Sequence, residues 1–196
     1  SNVYKIAKAY RDNTVSQETL NTSVSRVLNL IQNSEENLIK SSHFEYDKKA
    51  HHELAKKAAE KSVVLMKNED KILPLKSNVK VAVVGSLAKD PIFQGYGSSR
   101  INPHKVENAY DSLQKFYPDL AYAKGYEKNA DKADEVLLNN AKKASQNADV
   151  VVVFVGASDS DVCEGFDRVD MRLSNAQTAL IKAVLEVNEH VVVVVS

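Results

Sequence analysis

Two stretches of the sequence concentrate groups that could bind or transform a ligand. One runs from 157 to 173 and reads ASDSDVCEGFDRVDMRL. It holds Asp159, Asp161, Glu164, Asp167 and Asp170 beside Arg168 and Arg172. Carboxyl groups on a loop can move protons or hold cations, and arginines can pair with them. The other stretch is Gln94-Gly95-Tyr96-Gly97-Ser98-Ser99-Arg100, whose glycines would let the backbone approach a bound phosphate. It lacks the third glycine of a dinucleotide site and the lysine of a P-loop, so a tight turn with positive φ is its expected role. Asp159 and Asp161 have the spacing of a calcium loop, but Glu164 stands at the sixth position, where the sharp turn wants glycine. No metal and no cofactor is expected. Asp167 and Arg168 are read as an ion pair that pins the loop. On residue type alone, Glu164 is a solvated loop carboxylate and Arg100 a solvated loop arginine.

The remaining reactive types give little. The five histidines show no ligand-like spacing. Cys163 has no base beside it in sequence, so an inert thiol is expected. No G-x-S-x-G elbow is present. Tryptophan is absent, which leaves Tyr96, Tyr122, Tyr126 and Phe166 as rings that could lie against a sugar.

The elements that must position these loops follow from periodicity. Leu20, Val24, Val27, Leu28 and Ile31 share one face at helical spacing, which predicts a helix over 16–32 capped by Ser16. Residues 33–47 lose that pattern and read as a polar linker. A second helix is expected from Asp47 to about Met66, stopped by Ile72-Leu73-Pro74-Leu75. From Lys80 the pattern changes. Val81–Val84 is a short apolar run closed by Gly85, as a buried parallel strand would be. Helices are expected over 106–117, 133–147 and 174–187, and strands over 120–123, 150–155 and 191–195. Val136, Leu137, Ala141 and Ala144 are the expected inward face of the middle helix. Alternating strands and crossover helices require a parallel sheet covered on both faces. The fold class is therefore α/β: a doubly wound three-layer αβα sandwich over 76–196, preceded by a helical appendage. In such sheets ligands bind beyond the carboxyl ends of the strands, where both polar loops lie.

Composition excludes several classes. Lysine plus arginine and aspartate plus glutamate number 26 each, for a net charge of zero. That argues against a nucleic-acid or anionic-membrane partner. No apolar run approaches the ~20 residues of a membrane span. A single cysteine allows no internal disulfide and no multi-cysteine zinc site. No methionine start and no signal peptide is visible; a cytoplasmic address is favoured.

Five phrases in order resemble glycoside hydrolase family 3, the β-glucosidases, β-xylosidases and related exo-acting enzymes. They are Asp12-Asn13-Thr14-Val15-Ser16 with Val24-Ser25-Arg26-Val27-Leu28; Ser62 through Asn68 with Leu73-Pro74-Leu75; Val81 through Gly85; Gly95-Tyr96-Gly97-Ser98-Ser99; and Glu164-Gly165-Phe166-Asp167-Arg168 followed by Leu173, Gln177 and Leu180-Ile181. The resemblance implies a barrel domain that supplies a nucleophilic aspartate and a sandwich domain that supplies an acid/base glutamate from a loop. The matching position is Glu164. Tyr96, Ser98, Ser99, Arg100 and Phe166 would then line the substrate side. The family is retaining, so two carboxyl groups about 5–5.5 Å apart should flank the scissile bond.

The sequence departs from the family pattern in ways that shape the expectation. No aspartate stands in a Ser-Asp-Trp context, so no nucleophile is expected in this chain. Ser174 occupies a position that is commonly proline, and Cys163 one that is commonly small or polar. Residues 1–32 are expected to be the C-terminal remnant of a (β/α)8-type barrel, 33–75 a linker and lead-in helix, and 76–196 a sandwich truncated at its C-terminal end. The expected function is that of a fragment of a retaining β-glycosidase, inactive alone, whose parent cleaves a β-linked glucoside or xyloside with the missing barrel as partner. The alternative is a non-catalytic module that binds a carbohydrate or other small ligand.

Overall fold

The computed structural model describes residues 2–41, 45–159, 161–165, 167–168 and 170–196. Phe166, one of the expected substrate-side residues, lies outside them. The chain divides into two compact units, Ser1–Val63 and Val64–Ser196.

The first unit contains three helices: α1 (Val3–Arg11), α2 (Gln17–Ser41) and α3 (Lys48–Ser62). Helix α2 runs well past the expected end at 32. Residues 33–41 contain no glycine or proline, and Glu35, Glu36, Leu38 and Lys40 are good helix formers. Gln32 also donates to Glu36 one turn on, at 3.3 Å. The signal was a heptad step, Val24 to Ile31 to Leu38, that a polar-looking composition hid. Helix α3 stops at Ser62 rather than Met66. The Ser62 hydroxyl bonds back to the Ala58 carbonyl at 2.8 Å, and the β-branched Val63 continues in extended backbone.

The second unit is the α/β sandwich. Its strands are β1 (Val81–Val84), β2 (Ala121–Ala123), β3 (Val150–Val155) and β4 (Val191–Val195), and its helices α4 (Ala109–Gln114), α5 (Glu135–Ser145) and α6 (Asn175–Leu185). The four strands form one parallel sheet in the order β2-β1-β3-β4. Side chains alternate between its faces. Ala82, Val84, Val151, Val153 and Val155 pack with Leu138 and Ala141 of α5 and Leu180, Ala183 and Val184 of α6. Val81, Val83 and Val152 pack with Leu120 and with Tyr110 and Leu113 of α4. Both faces are covered, as the continuous valine runs require.

Two helices of the sandwich also differ from expectation, each because of a cap. Asn108 accepts from the Asp111 amide at 2.8 Å and starts α4 later than 106. Asp134 accepts from the amides of Val136 and Leu137 at 2.8 and 3.1 Å, which fixes the phase of α5. Leu138 is then the inward residue at 7% exposure, and Val136 points out at 68%.

The carboxyl ends of β1 and β3 are brought very close together. Gly85 has φ +112°, and a Cβ there would sit 2.1 Å from the Phe154 carbonyl oxygen. Only glycine allows both that backbone and that approach. Buried Gln177, on the first turn of α6, accepts from the Gly156 amide at 3.3 Å and donates to its carbonyl at 2.9 Å. The loop after β3 thus leaves from a fixed point.

Candidate active site

From Gly156 that loop crosses to the glycine-serine loop and pairs with it. The Tyr96 amide donates to the Val162 carbonyl at 2.9 Å, and Tyr96 and Cys163 form an isolated parallel bridge. This register brings Ser98 to Glu164, and the Ser98 hydroxyl donates to Glu164 Oε2. Gly97 turns the chain between Tyr96 and Ser98 at φ +85°, the positive angle expected of the loop. A Cβ on Gly97 would lie 4.0 Å from Glu164 Oε2, an ordinary contact, so it is the positive φ and not crowding that calls for glycine here. The Gln94 side chain closes the loop by accepting from the Ile101 amide at 2.9 Å.

The two loops enclose a shallow, open depression of about 420 Å³. Gly95, Tyr96, Ser98, Ser99, Asp161, Val162, Cys163 and Glu164 line it. Four of the residues singled out from sequence, Tyr96, Ser98, Ser99 and Glu164, therefore meet at one place. Tyr96 is 56% exposed, and the Arg100 guanidinium lies 6.0 Å from its ring centroid. Asp167 and Arg168 are exposed and outside the depression lining. Tyr122 and Tyr126 are not available to a ligand here. Tyr126 is a core residue whose hydroxyl donates to the Phe154 carbonyl at 3.0 Å, and burial pushes its phenol up to about 12. Tyr122 is half-buried against Tyr110, with the Lys89 ammonium 4.2 Å from its ring centroid.

A second cavity of about 380 Å³ lies at the N-terminus of α6 and is far richer in charge. Its groups satisfy one another. Asp131 accepts from the Asn175 amide at 2.9 Å and side chain at 2.8 Å, which holds its carboxyl below the ordinary range. Asp161 accepts from the Ser158 amide and hydroxyl, both at 2.8 Å, with the same effect. Asp170 is lowered by the Arg172 guanidinium, at 2.6 Å. Lys128 lies 3.2 Å from Asp90 and 3.6 Å from Asp159. Sequence reading missed Lys128, Asn129 and Asp131, because nothing in the segment after β2 marks it as a partner of the 157–173 loop. Strand order was the available clue: β2 and β3 flank β1, so their following loops can meet above it.

Of the two carboxyl groups that line the open depression, Asp161 is occupied by Ser158 and Glu164 is the exposed one. Among the described residues, Ser98 is the hydrogen-bond partner of Glu164 and no cation pairs with it. The Glu164 carboxylate, the exposed Tyr96 ring and the Ser98 and Ser99 hydroxyls can exchange a proton with a polar ligand and contact a flat apolar ring face. A family model described as the glycosyl hydrolase family 3 C-terminal domain matches residues 63–196. The chain belongs to this family. It is 43% identical over 193 residues to thermostable beta-glucosidase B of Acetivibrio thermocellus, covering 97% of this chain and 25% of that protein. It is 37% identical over 148 residues to an exo-alpha-(1->6)-L-arabinopyranosidase of Bifidobacterium longum, covering 71% of this chain and 20% of that one. The fold superposes on the crystal structure of the Bifidobacterium adolescentis GH3 beta-glucosidase with TM-score 0.85 and 36% identity, over 99% of this chain and 29% of that one. The chain thus spans about a quarter of the length of these relatives. It is a homologue of the C-terminal domain of family 3 β-glucosidases.

Proposed function

We propose that this chain supplies the acid/base carboxylate of a retaining, exo-acting β-glycosidase of β-glucosidase or β-xylosidase type, and that the carboxylate is Glu164. The observation that carries the reading is the isolation of Glu164. It is the exposed carboxyl group of the open depression, held by a neutral hydroxyl and not by a cation. An acid/base catalyst must gain and lose a proton within each turnover, and a cation beside it would hold it ionised. In the first step Glu164 protonates the leaving oxygen as a second carboxylate attacks the anomeric carbon. In the second it takes a proton from the water that releases the sugar.

In this reading the attacking aspartate belongs to a (β/α)8-type barrel of a longer polypeptide, of which residues 1–32 are the C-terminal remnant. Residues 33–75 then link and lead into a sandwich over 76–196. Tyr96, Ser98, Ser99 and Arg100 line the substrate side, and Asp167 and Arg168 pin the loop. The short coverage of the beta-glucosidase relatives supports this division of labour. The test is Glu164→Gln in the full-length enzyme, assayed with aryl β-glucosides of graded leaving ability. Loss of acid assistance lowers turnover of poor leaving groups by ~10²–10⁴-fold and of good ones much less. An equal loss across the series would assign Glu164 another role.

A further inference from the structure

We infer that Ser98 is a positioning residue for Glu164, and that it divides the work of the two carboxyl oxygens: Oε2 is the anchored atom and Oε1 the one that carries the proton. The inference rests on the reading of Glu164 as the acid/base and deepens it. Three features on the two loops support it. The Tyr96–Val162 hydrogen bond and the Tyr96–Cys163 bridge fix the relative register of the loops immediately before the two side chains. Gly97, at φ +85°, turns the backbone between Tyr96 and Ser98. The Ser98 hydroxyl then donates to Oε2, while Oε1 has no partner among the described residues.

A carboxyl group on a long, exposed side chain otherwise samples several rotamers, and proton transfer requires it to be held within hydrogen-bond reach of one oxygen atom. A serine hydroxyl meets this need in both halves of the cycle. When Glu164 is ionised, Oε2 accepts from Ser98 and Oε1 is free to receive a proton from water. When Oε1 carries the proton, Oε2 is the carbonyl oxygen and still accepts from Ser98. Oε1 then gives that proton to the departing oxygen as the glycosidic bond breaks. A lysine or arginine anchor would not be neutral toward the two states.

The experiment uses the full-length enzyme with Ser98→Ala, Ser98→Thr and Glu164→Gln, each assayed with a poor and a good aryl leaving group and each checked for unchanged urea unfolding. Ser98→Ala is expected to lower kcat on the poor leaving group by about tenfold, a tenth or less of what full removal of the acid costs. KM should hold, the good leaving group should be little affected, and Ser98→Thr, which keeps the hydroxyl, should restore most of the loss. Ser98→Ala that matches wild type on both substrates, while Glu164→Gln keeps its leaving-group dependence, overturns the positioning role alone. Equal slowing of both substrates, or a raised KM with kcat intact, also overturns it, since either marks a structural or substrate-binding part. If Glu164→Gln shows no leaving-group dependence, the acid/base reading fails and this inference falls with it.

Discussion

The loop after β3 builds two regions of opposite character. Around the α6 N-terminus, Asp131, Asp161 and Asp170 each receive two or more hydrogen bonds, and Lys128 lies between Asp90 and Asp159. A few residues away Glu164 holds one bond to a neutral hydroxyl in an open depression. The first region has the charge and the second has the chemical freedom. A carboxylate whose bonds are filled by amides and a guanidinium is held ionised and occupied, which suits a strut. In the proposed reading, catalysis falls to the isolated carboxylate and the dense charge serves the loop's structure.

The comparison can be broken by mutation, starting where the largest effect is expected. In the full-length enzyme, Glu164→Ala should cost ~10²–10⁴-fold in turnover of poor leaving groups. Asp170→Asn should leave turnover nearly untouched. A large loss from Asp170→Asn would erase the distinction. Next comes Gln177, which ties the start of the loop to α6. Gln177→Ala strands the Gly156 amide and carbonyl in the interior, and unsatisfied buried groups of this kind cost about 1–3 kcal/mol each way they are lost. Urea unfolding of the chain should show a lower midpoint with unchanged slope.

Smaller effects should come from the charged region itself. Arg172→Ala removes an exposed pair with Asp170, so its unfolding midpoint should move only slightly. Acid should act there too. Asp131, Asp161 and Asp170 sit below the ordinary carboxylate value in the folded chain. Their contribution to stability is thus full above an unfolded value of about 3.9 and is lost as pH falls through the lower folded values. Chemical unfolding followed from pH 5 downward should show this decline, and Asp131→Asn should make it shallower. A decline that is the same in Asp131→Asn would show that Asn175 does not stabilise the carboxylate.

The sandwich was legible because its cues are local. Valine runs ended by Gly85 and Gly156 specify buried parallel strands, and strand–helix alternation specifies the sheet. Caps set the finer phase, and these were harder to see: Asp134 turned Leu138 inward and Val136 outward, against the expectation from apolar content. Helix α2 was underestimated because a polar surface looks like a linker when nothing in sequence tells which face is solvated. Residue types placed Glu164, Tyr96 and Ser98 on candidate loops, but their meeting depends on a register between segments some 66 positions apart. No local pattern encodes that register. The same holds for Asp131 and Asn175, separated by 44 positions.

The central claim is that Glu164 is the acid/base, and azide tests it most directly. In the Glu164→Ala full-length enzyme, a substrate with a good leaving group should still form the covalent glycosyl-enzyme, whose breakdown then lacks a base. Azide needs no base, so it should accelerate turnover and yield a glycosyl azide of retained configuration. No acceleration and no glycosyl azide, in a variant that folds as wild type does, would contradict the assignment.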